Sequence, residues 1–326
     1  MSITVLTIFG LPVTAFGLGC ALALLWYLLG LALWCRILRA DYGVWVRLAV
    51  LSVPLSFMFA RLTYVAVDFL GIFAASSYYL GTLENPALAL RFWDGGYSLM
   101  GALFGLLIAA KLAEKWTRQR SKGVLMDAVG FAAPLAIMIE RGFEYRTGMG
   151  IGREVESEWL IQTGLCAEVD GLYLHPVYLY EALTALVIFA VICVWMRRRK
   201  EHVPGDTLRL FLVLFGLSQV LLESFRADEH MIVHFVHAQQ VMAIALCVGA
   251  MVSWTAKAVR NGRAGICVLM WLLTVIGIAA AIVAEFGVDR WGEPLMAYGL
   301  MIAGLLAVFA SAMVLWFRAN RTERQG

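Results

Sequence analysis

The side chains best suited to do chemistry in this sequence are arginines set apart from the other basic residues. Arg61, Arg91, Arg141, Arg146, Arg153, Arg226 and Arg290 stand away from the dense basic clusters, and none of the seven is a lysine. A guanidinium group is a planar, permanently charged fork that grips phosphate or carboxylate through two parallel hydrogen bonds, whereas lysine acts as a point charge. Acidic residues accompany them: Asp94, Glu140, Glu144, Glu181 and Glu223. One such arginine could be a structural ion pair or could snorkel to an interface. Several, mixed with carboxylates inside apolar sequence, point to an anionic ligand.

Four constellations carry these residues. The run Arg91-Phe-Trp-Asp94-Gly95-Gly96-Tyr97-Ser98-Leu99-Met100-Gly101 is an aromatic, acidic, glycine-paired turn that leads into an apolar stretch. Paired glycines permit a tight turn and a close approach of backbone to a headgroup, although an ordinary interfacial aromatic turn would read the same way. Asp127, Pro134, Glu140, Arg141, Glu144, Tyr145, Arg146 and Arg153, with Gly142, Gly148, Gly150 and Gly152, form a charged, glycine-punctuated stretch. Backbone of that kind is tolerated at membrane depth only inside protein or beside a polar cavity. His175-Pro176-Val177-Tyr178-Leu179-Tyr180-Glu181 starts a helix with Tyr178 and Glu181 on one face. Glu181 then needs a partner. Gln219, Glu223 and Arg226 are spaced i, i+4, i+7, as are His230, His234 and His237. The first set should face a bundle interior. The histidines could line one helix face, but no carboxylate pattern completes a metal site, and no metal is expected.

The elements that must position these groups are membrane helices. Of 326 residues, 62% are hydrophobic and 15% charged, against roughly 45–50% and about 25% in soluble domains. Runs long enough to cross a bilayer are read near 12–34, 48–70, 96–111, 124–140, 174–196, 206–224, 236–255, 264–286 and 294–317. The fold expected is all-α, a polytopic helical bundle of about nine spans, with the third and fourth short. Nineteen of the 26 basic residues, including every lysine, fall in alternate connections and the C-terminal tail. The positive-inside rule makes those segments cytoplasmic, with the N-terminus outside and the C-terminus inside. No basic residue precedes the first apolar run, so the first helix is expected to stay as an anchor. Six scattered cysteines without a CxxC pair argue against metal or redox chemistry.

Taken in order, the constellations resemble the bacterial prolipoprotein diacylglyceryl transferases. The resemblance rests on Arg61-Leu-Thr-Tyr64, the Trp-Asp-Gly-Gly-x-Ser turn at 93–98, and Asp127 followed by Arg141 and Arg153. His-Pro-x-x-Leu-Tyr-Glu at 175–181, Gly216 through Glu223-x-x-Arg226, and Gln240 complete it. It covers roughly residues 10–250. It implies a transferase-like domain over 1–255 and an appendage of two further helices over 256–326. The implied reaction moves the diacylglyceryl group of phosphatidylglycerol to the lipobox cysteine thiol of a prolipoprotein. It forms a thioether, releases glycerol phosphate and uses no cofactor, in the bacterial inner membrane. Prolipoprotein and anionic phospholipid are the partners, and no nucleic acid is expected.

The resemblance also shows departures. Met100 stands where the family has histidine, Glu144 where it has asparagine, and Met149 where it has an acidic residue. Phe215 and Gln219 replace a tyrosine and an arginine. The resulting assignment has Arg141 and Arg226 binding phosphate, Glu223 and Asp94 orienting them, and Glu144 as base, with Glu140 or His237 as substitutes. Arg61, Gly95, Gly96, Ser98, Arg153, His175, Tyr178, Glu181, Gln219 and Gln240 are expected to contribute to substrate binding. Two other readings are a divergent relative that binds or modifies another anionic lipid without this transfer, and a transporter. The second lacks the inverted repeat or paired broken helices that transporters show.

Overall fold

A computed structural model of the chain describes residues 4–320 except 9–10, 38–41, 70–89, 91–95, 118–122, 145–146, 148, 156, 199–202, 228–230, 234–235, 289 and 292–293. Nine helices of 18 residues or more occur among the described residues: α1 (Ala15–Ile37), α2 (Tyr42–Phe69), α3 (Leu99–Trp116), α4 (Val124–Glu144), α6 (Val177–Arg198), α7 (Asp206–Phe225), α8 (Ala238–Arg260), α9 (Ala264–Val288) and α10 (Pro294–Asn320). A short helix, α5 (Glu158–Gln162), and three two-stranded hairpins complete the set: β1 (Thr4–Ile8) with β2 (Leu11–Thr14), β3 (Ala167–Val169) with β4 (Leu172–Leu174), and β5 (Ile232–Val233) with β6 (Val236–His237).

Seven of these helices are long and apolar enough to cross a membrane, and the chain is a polytopic membrane helical protein. The two that fall outside the seven are α3 and α4. α3 ends in Lys111, Glu114 and Lys115, and α4 carries Asp127, Glu140, Arg141 and Glu144. α4 buries most of its residues within the protein, so it can hold charge where a lipid-facing helix cannot. The other helices turn large apolar side chains outward, among them Leu25, Val50, Val187, Ile276 and Leu306. In water such a surface would aggregate, and in a bilayer it is the ordinary exterior.

The first span, expected from near residue 12, begins as α1 at Ala15, after residues 11–14 pair as a strand and Thr14 Oγ1 accepts from the Gly17 amide at 3.0 Å. One reading of the sequence is corrected: residues 232–233 and 236–237 are the strands β5 and β6, so His237 is on a strand instead of a helical face. His230 and His234 themselves lie outside the described residues.

The chain divides into two compact units. The first comprises residues 1–211 and 225–234. There α3 lies close against α2, because Gly101 and Gly105 leave no side chain between the helices; a Cβ on Gly101 would sit 2.5 Å from Phe59 O. Ser98 caps α3, its Oγ accepting from the Gly101 amide at 3.2 Å. α4 is seated between α1 and α6, with the Phe131 ring tilted against those of Trp34 and Phe189 at centroid distances of 5.5 and 5.4 Å. Buried Asp127 caps the start of α7 from outside that helix, accepting from the amides of Gly205 at 2.6 Å and Leu208 at 2.8 Å. The β3–β4 turn is Asp170-Gly171, both with positive φ (52° and 82°), as a two-residue hairpin of this twist demands.

The second unit comprises residues 212–224 and 235–326. α9 and α10 meet at Gly277 and Gly304, each so near the other's backbone that a Cβ would lie 2.5 Å from the facing carbonyl oxygen. Small residues at such crossings let helices gain dispersion contacts that lipid does not supply. Trp271 Nε1 donates to Thr255 Oγ1 at 3.0 Å, and Asn261 Nδ2 to Ala319 O at 3.0 Å. Tyr298 Oη donates to Ser224 O at 3.3 Å, which satisfies a carbonyl in the last turn of α7.

Candidate active site: a buried arginine–carboxylate cluster

In the first unit, residues far apart in sequence meet at the end of α4. Arg141 reaches Glu144 Oε2 through Nη1 at 2.5 Å, Glu181 Oε2 through Nε at 2.9 Å, and Glu140 Oε2 through Nε at 3.5 Å. Arg226 reaches Glu144 Oε1 at 3.4 Å and Glu181 Oε2 at 3.6 Å. Arg141 and Arg226 are each only 4% exposed, and Glu144 and Glu181 are buried. Burial of this depth is tolerated only because every charge has an opposite partner.

Backbone pairing holds the second arginine there. Gly152 bridges Arg226, and the Ala227 amide donates to Ile151 O at 3.0 Å. On its other side the same segment pairs with the start of α6: Gly152 N donates to His175 O at 2.7 Å, His175 N to Arg153 O at 2.9 Å, and Tyr178 N to Gly150 O at 2.8 Å. The glycines are required by these approaches. A Cβ on Gly152 would lie 2.7 Å from Phe225 O; Gly150 has φ +70, and a Cβ there would meet Tyr178 Cβ at 2.9 Å and Glu144 Oε2 at 3.0 Å. Gly150 and Gly152 thus lie in an extended segment that makes isolated bridges to two other chain segments, with Arg153 half-buried on it. His175 fixes the helix entry through Nδ1 and Tyr180 Oη at 3.1 Å. Burial pushes its imidazole below the usual histidine range, toward the neutral form.

A second feature of this unit surrounds Arg61, which is 1% exposed. Its Nη1 donates to Gly96 O at 3.2 Å, and Gly96 has φ +73 with Tyr64 and Arg61 packed where a Cβ would be. Asp94 and Gly95 lie outside the described residues. Met100, where the family resemblance expects histidine, is fully buried.

Glu223, Gln219 and Gln240 belong to the second unit. Glu223 is fully buried, with Oε2 3.4 Å from His237 Nδ1. Gln240 accepts from the His237 amide at 3.1 Å and donates to Val220 O at 3.2 Å. Gln219 is buried, and its Oε1 meets no donor among the described residues. The helical stripe of Gln219, Glu223 and Arg226 is corrected: α7 ends at Phe225, and Arg226 is in extended backbone.

The sequence indicated that Glu181 needs a partner but not that it would touch both arginines. Glu140, read only as a spare base, is the third carboxylate around Arg141. Helical spacing places Glu140 beside Arg141 and Glu144 from the start; nothing local in sequence joins them to residues 181 and 226. Among the described residues, no group of three or more His, Cys, Asp or Glu side chains is arranged to hold a metal ion. The carboxylates of the cluster orient two guanidinium groups.

The sequence model of the prolipoprotein diacylglyceryl transferase family matches residues 4–256. Proteins named phosphatidylglycerol–prolipoprotein diacylglyceryl transferase are similar to this chain. The one from Symbiobacterium thermophilum is 30% identical over 51% of this chain and 62% of its own length. Those from Halalkalibacterium halodurans and Clostridium novyi are 28% and 27% identical, over 62% and 66% of this chain and 68% and 80% of their own lengths. The matched segment holds every residue of the arginine–carboxylate cluster, and the chain belongs to the prolipoprotein diacylglyceryl transferase family.

Proposed function

We propose that this protein transfers the diacylglyceryl group of phosphatidylglycerol to the lipobox cysteine of prolipoproteins in the bacterial inner membrane. The observation that carries the reading is the pair of buried arginines, Arg141 and Arg226, oriented by Glu144 and Glu181 inside the segment that the family model matches. In the proposed reaction the thiolate sulfur bonds to the glycerol carbon, the carbon–oxygen bond to phosphate breaks, and glycerol phosphate leaves. Fixed positive charge beside the departing phosphate lowers that barrier. The roles of Arg61, Gly96, Ser98, Arg153 and Tyr178 are substrate positioning in this reading. Glu144 lies between two guanidinium groups, which suits it to orient them better than to accept the thiol proton.

The same reading has nine spans with the N-terminus outside and the C-terminus inside, so that the 147–175 segment faces the periplasm. It treats 256–326 as an addition to the transferase domain, in keeping with the end of the family match at residue 256. Complementation of a strain depleted of its own transferase tests it. The expected result is lipoprotein carrying the diacylglyceryl mass increment; no increment despite membrane expression overturns it. Buried Met100 favours one second reading, a relative that binds anionic lipid without transfer, because a thioether side chain cannot take a proton. That reading is distinguished by phosphatidylglycerol binding to the purified protein with no thioether product.

A further inference from the structure

We propose that the excursion between α4 and α6, formed by α5 and the β3–β4 hairpin, is an interfacial anchor whose outward apolar face rests in the headgroup layer of the bilayer. This holds for a transferase and equally for a relative that only binds lipid. The pairing register of the hairpin sorts its side chains. Ala167 pairs with Leu174 and Val169 with Leu172, so these four share one face, while Glu168 and Tyr173 pair on the other. Within the two strands the first face carries no charged side chain, and Leu172 on it is 50% exposed. In α5, Trp159 is 64% exposed, and Leu165 just beyond that helix is also exposed. Large apolar side chains gathered outside the membrane helices mark a contact with lipid or with another chain.

The attachment of the hairpin favours lipid. Val155 N donates to Tyr173 O at 2.7 Å and His175 N to Arg153 O at 2.9 Å, so the hairpin is rooted immediately before α6. That helix starts at Val177, and its first exposed large apolar side chain is Leu183. The interval is about 9 Å of helix, comparable with a headgroup layer of about 5–8 Å per leaflet. A hairpin rooted there lies beside the bilayer surface. Its residue types fit that depth, because Trp and Tyr concentrate at membrane interfaces. Glu158, Glu168 and Asp170 are exposed and set the limit. Ionised carboxylates do not enter hydrocarbon, so the excursion lies on the bilayer instead of crossing into its core. The same acids are repelled by anionic lipid, so burial of the apolar face, and not charge, holds the anchor down. The extended residues leading into it pair with the backbone of Arg226 and Tyr178.

The test uses the full chain in vesicles of phosphatidylcholine and phosphatidylglycerol. Cys20, Cys166 and Cys193, which are not buried, are replaced by alanine. A nitroxide is then attached at Leu172→Cys or, on the opposite face, at Glu168→Cys. The ratio of oxygen accessibility to aqueous nickel-chelate accessibility should be severalfold higher at position 172 than at position 168. In the chain with its native cysteines, Trp159 emission is read as the difference between wild type and Trp159→Phe. It should fall at least twofold in lipid brominated near the glycerol end of the acyl chains. Equal accessibility ratios at the two positions, or Trp159 emission insensitive to brominated lipid, overturns the proposal. Shielding of position 172 only after a lipobox peptide is added also overturns it, and assigns the apolar face to the peptide.

Discussion

At the residue scale the cluster works through shared contacts. Arg141 uses Nη1 for Glu144 and Nε for Glu181, on two edges of one planar group. Lysine offers a single ammonium and cannot span both. Arg141→Lys is therefore expected to lower the transfer rate roughly 100-fold, equivalent to about 2.7 kcal/mol at the transition state. Single-turnover transfer to a lipobox peptide, normalised to correctly inserted protein, measures this. Glu181 is fully buried and touches both arginines. Removing one partner of a buried pair leaves an uncompensated charge, at a cost of about 3–5 kcal/mol. Glu181→Gln should lower the melting temperature in detergent, and an unchanged melting temperature would show that Glu181 does not balance these arginines. Arg141, Glu144, Glu181 and Arg226 were each legible as chemistry-bearing residues. Their pairing was not, since residues 82 positions apart, such as Glu144 and Arg226, carry no local signal of contact.

At the element scale, helix ends position the cluster. The last turn of α4 presents Glu140, Arg141 and Glu144, and the residue after α7 presents Arg226. The start of α7 is secured by Asp127, whose two carboxylate oxygens accept the Gly205 and Leu208 amides. Asp127 looked like part of a functional motif in the sequence, and its place in the fold is that of a helix cap supplied from α4. Loss of a cap costs about 0.5–2 kcal/mol. Asp127→Ala should show this as a lower melting temperature in detergent, with the transfer rate per folded molecule preserved; a lost rate at full stability would move Asp127 into the chemistry. Seven apolar helices were legible because hydrophobic length sets them. The exit from α7 was not, because Gln219, Glu223 and Arg226 keep helical spacing while the backbone turns to pair with Gly152.

At the scale of the whole molecule, the distribution of basic residues predicts an orientation. Their concentration in alternate connections predicts that the segment between α4 and α6 lies outside the cell. Cys166 offers a native reporter: it sits in that segment, between α5 and β3, partly exposed. In intact spheroplasts a membrane-impermeant maleimide should label Cys166, and Cys166→Ala should lose that label. Labelling of Cys166 only after the membrane is opened would reverse the topology.

Hydrophobic length and charge bias are properties of single segments, so the sequence by itself determined that the chain is a polytopic membrane protein. Ordered motifs likewise sufficed to indicate the family and the residues carrying charge. Tertiary structure alone decided which carboxylate meets which arginine, because long-range pairing depends on how helices pack rather than on spacing along the chain. It also turned a helical stripe into a helix end followed by extended backbone, and placed His237 on a strand instead of a helical face. Most directly, it brought Glu144 and Glu181 each to both Arg141 and Arg226, with Glu140 beside Arg141.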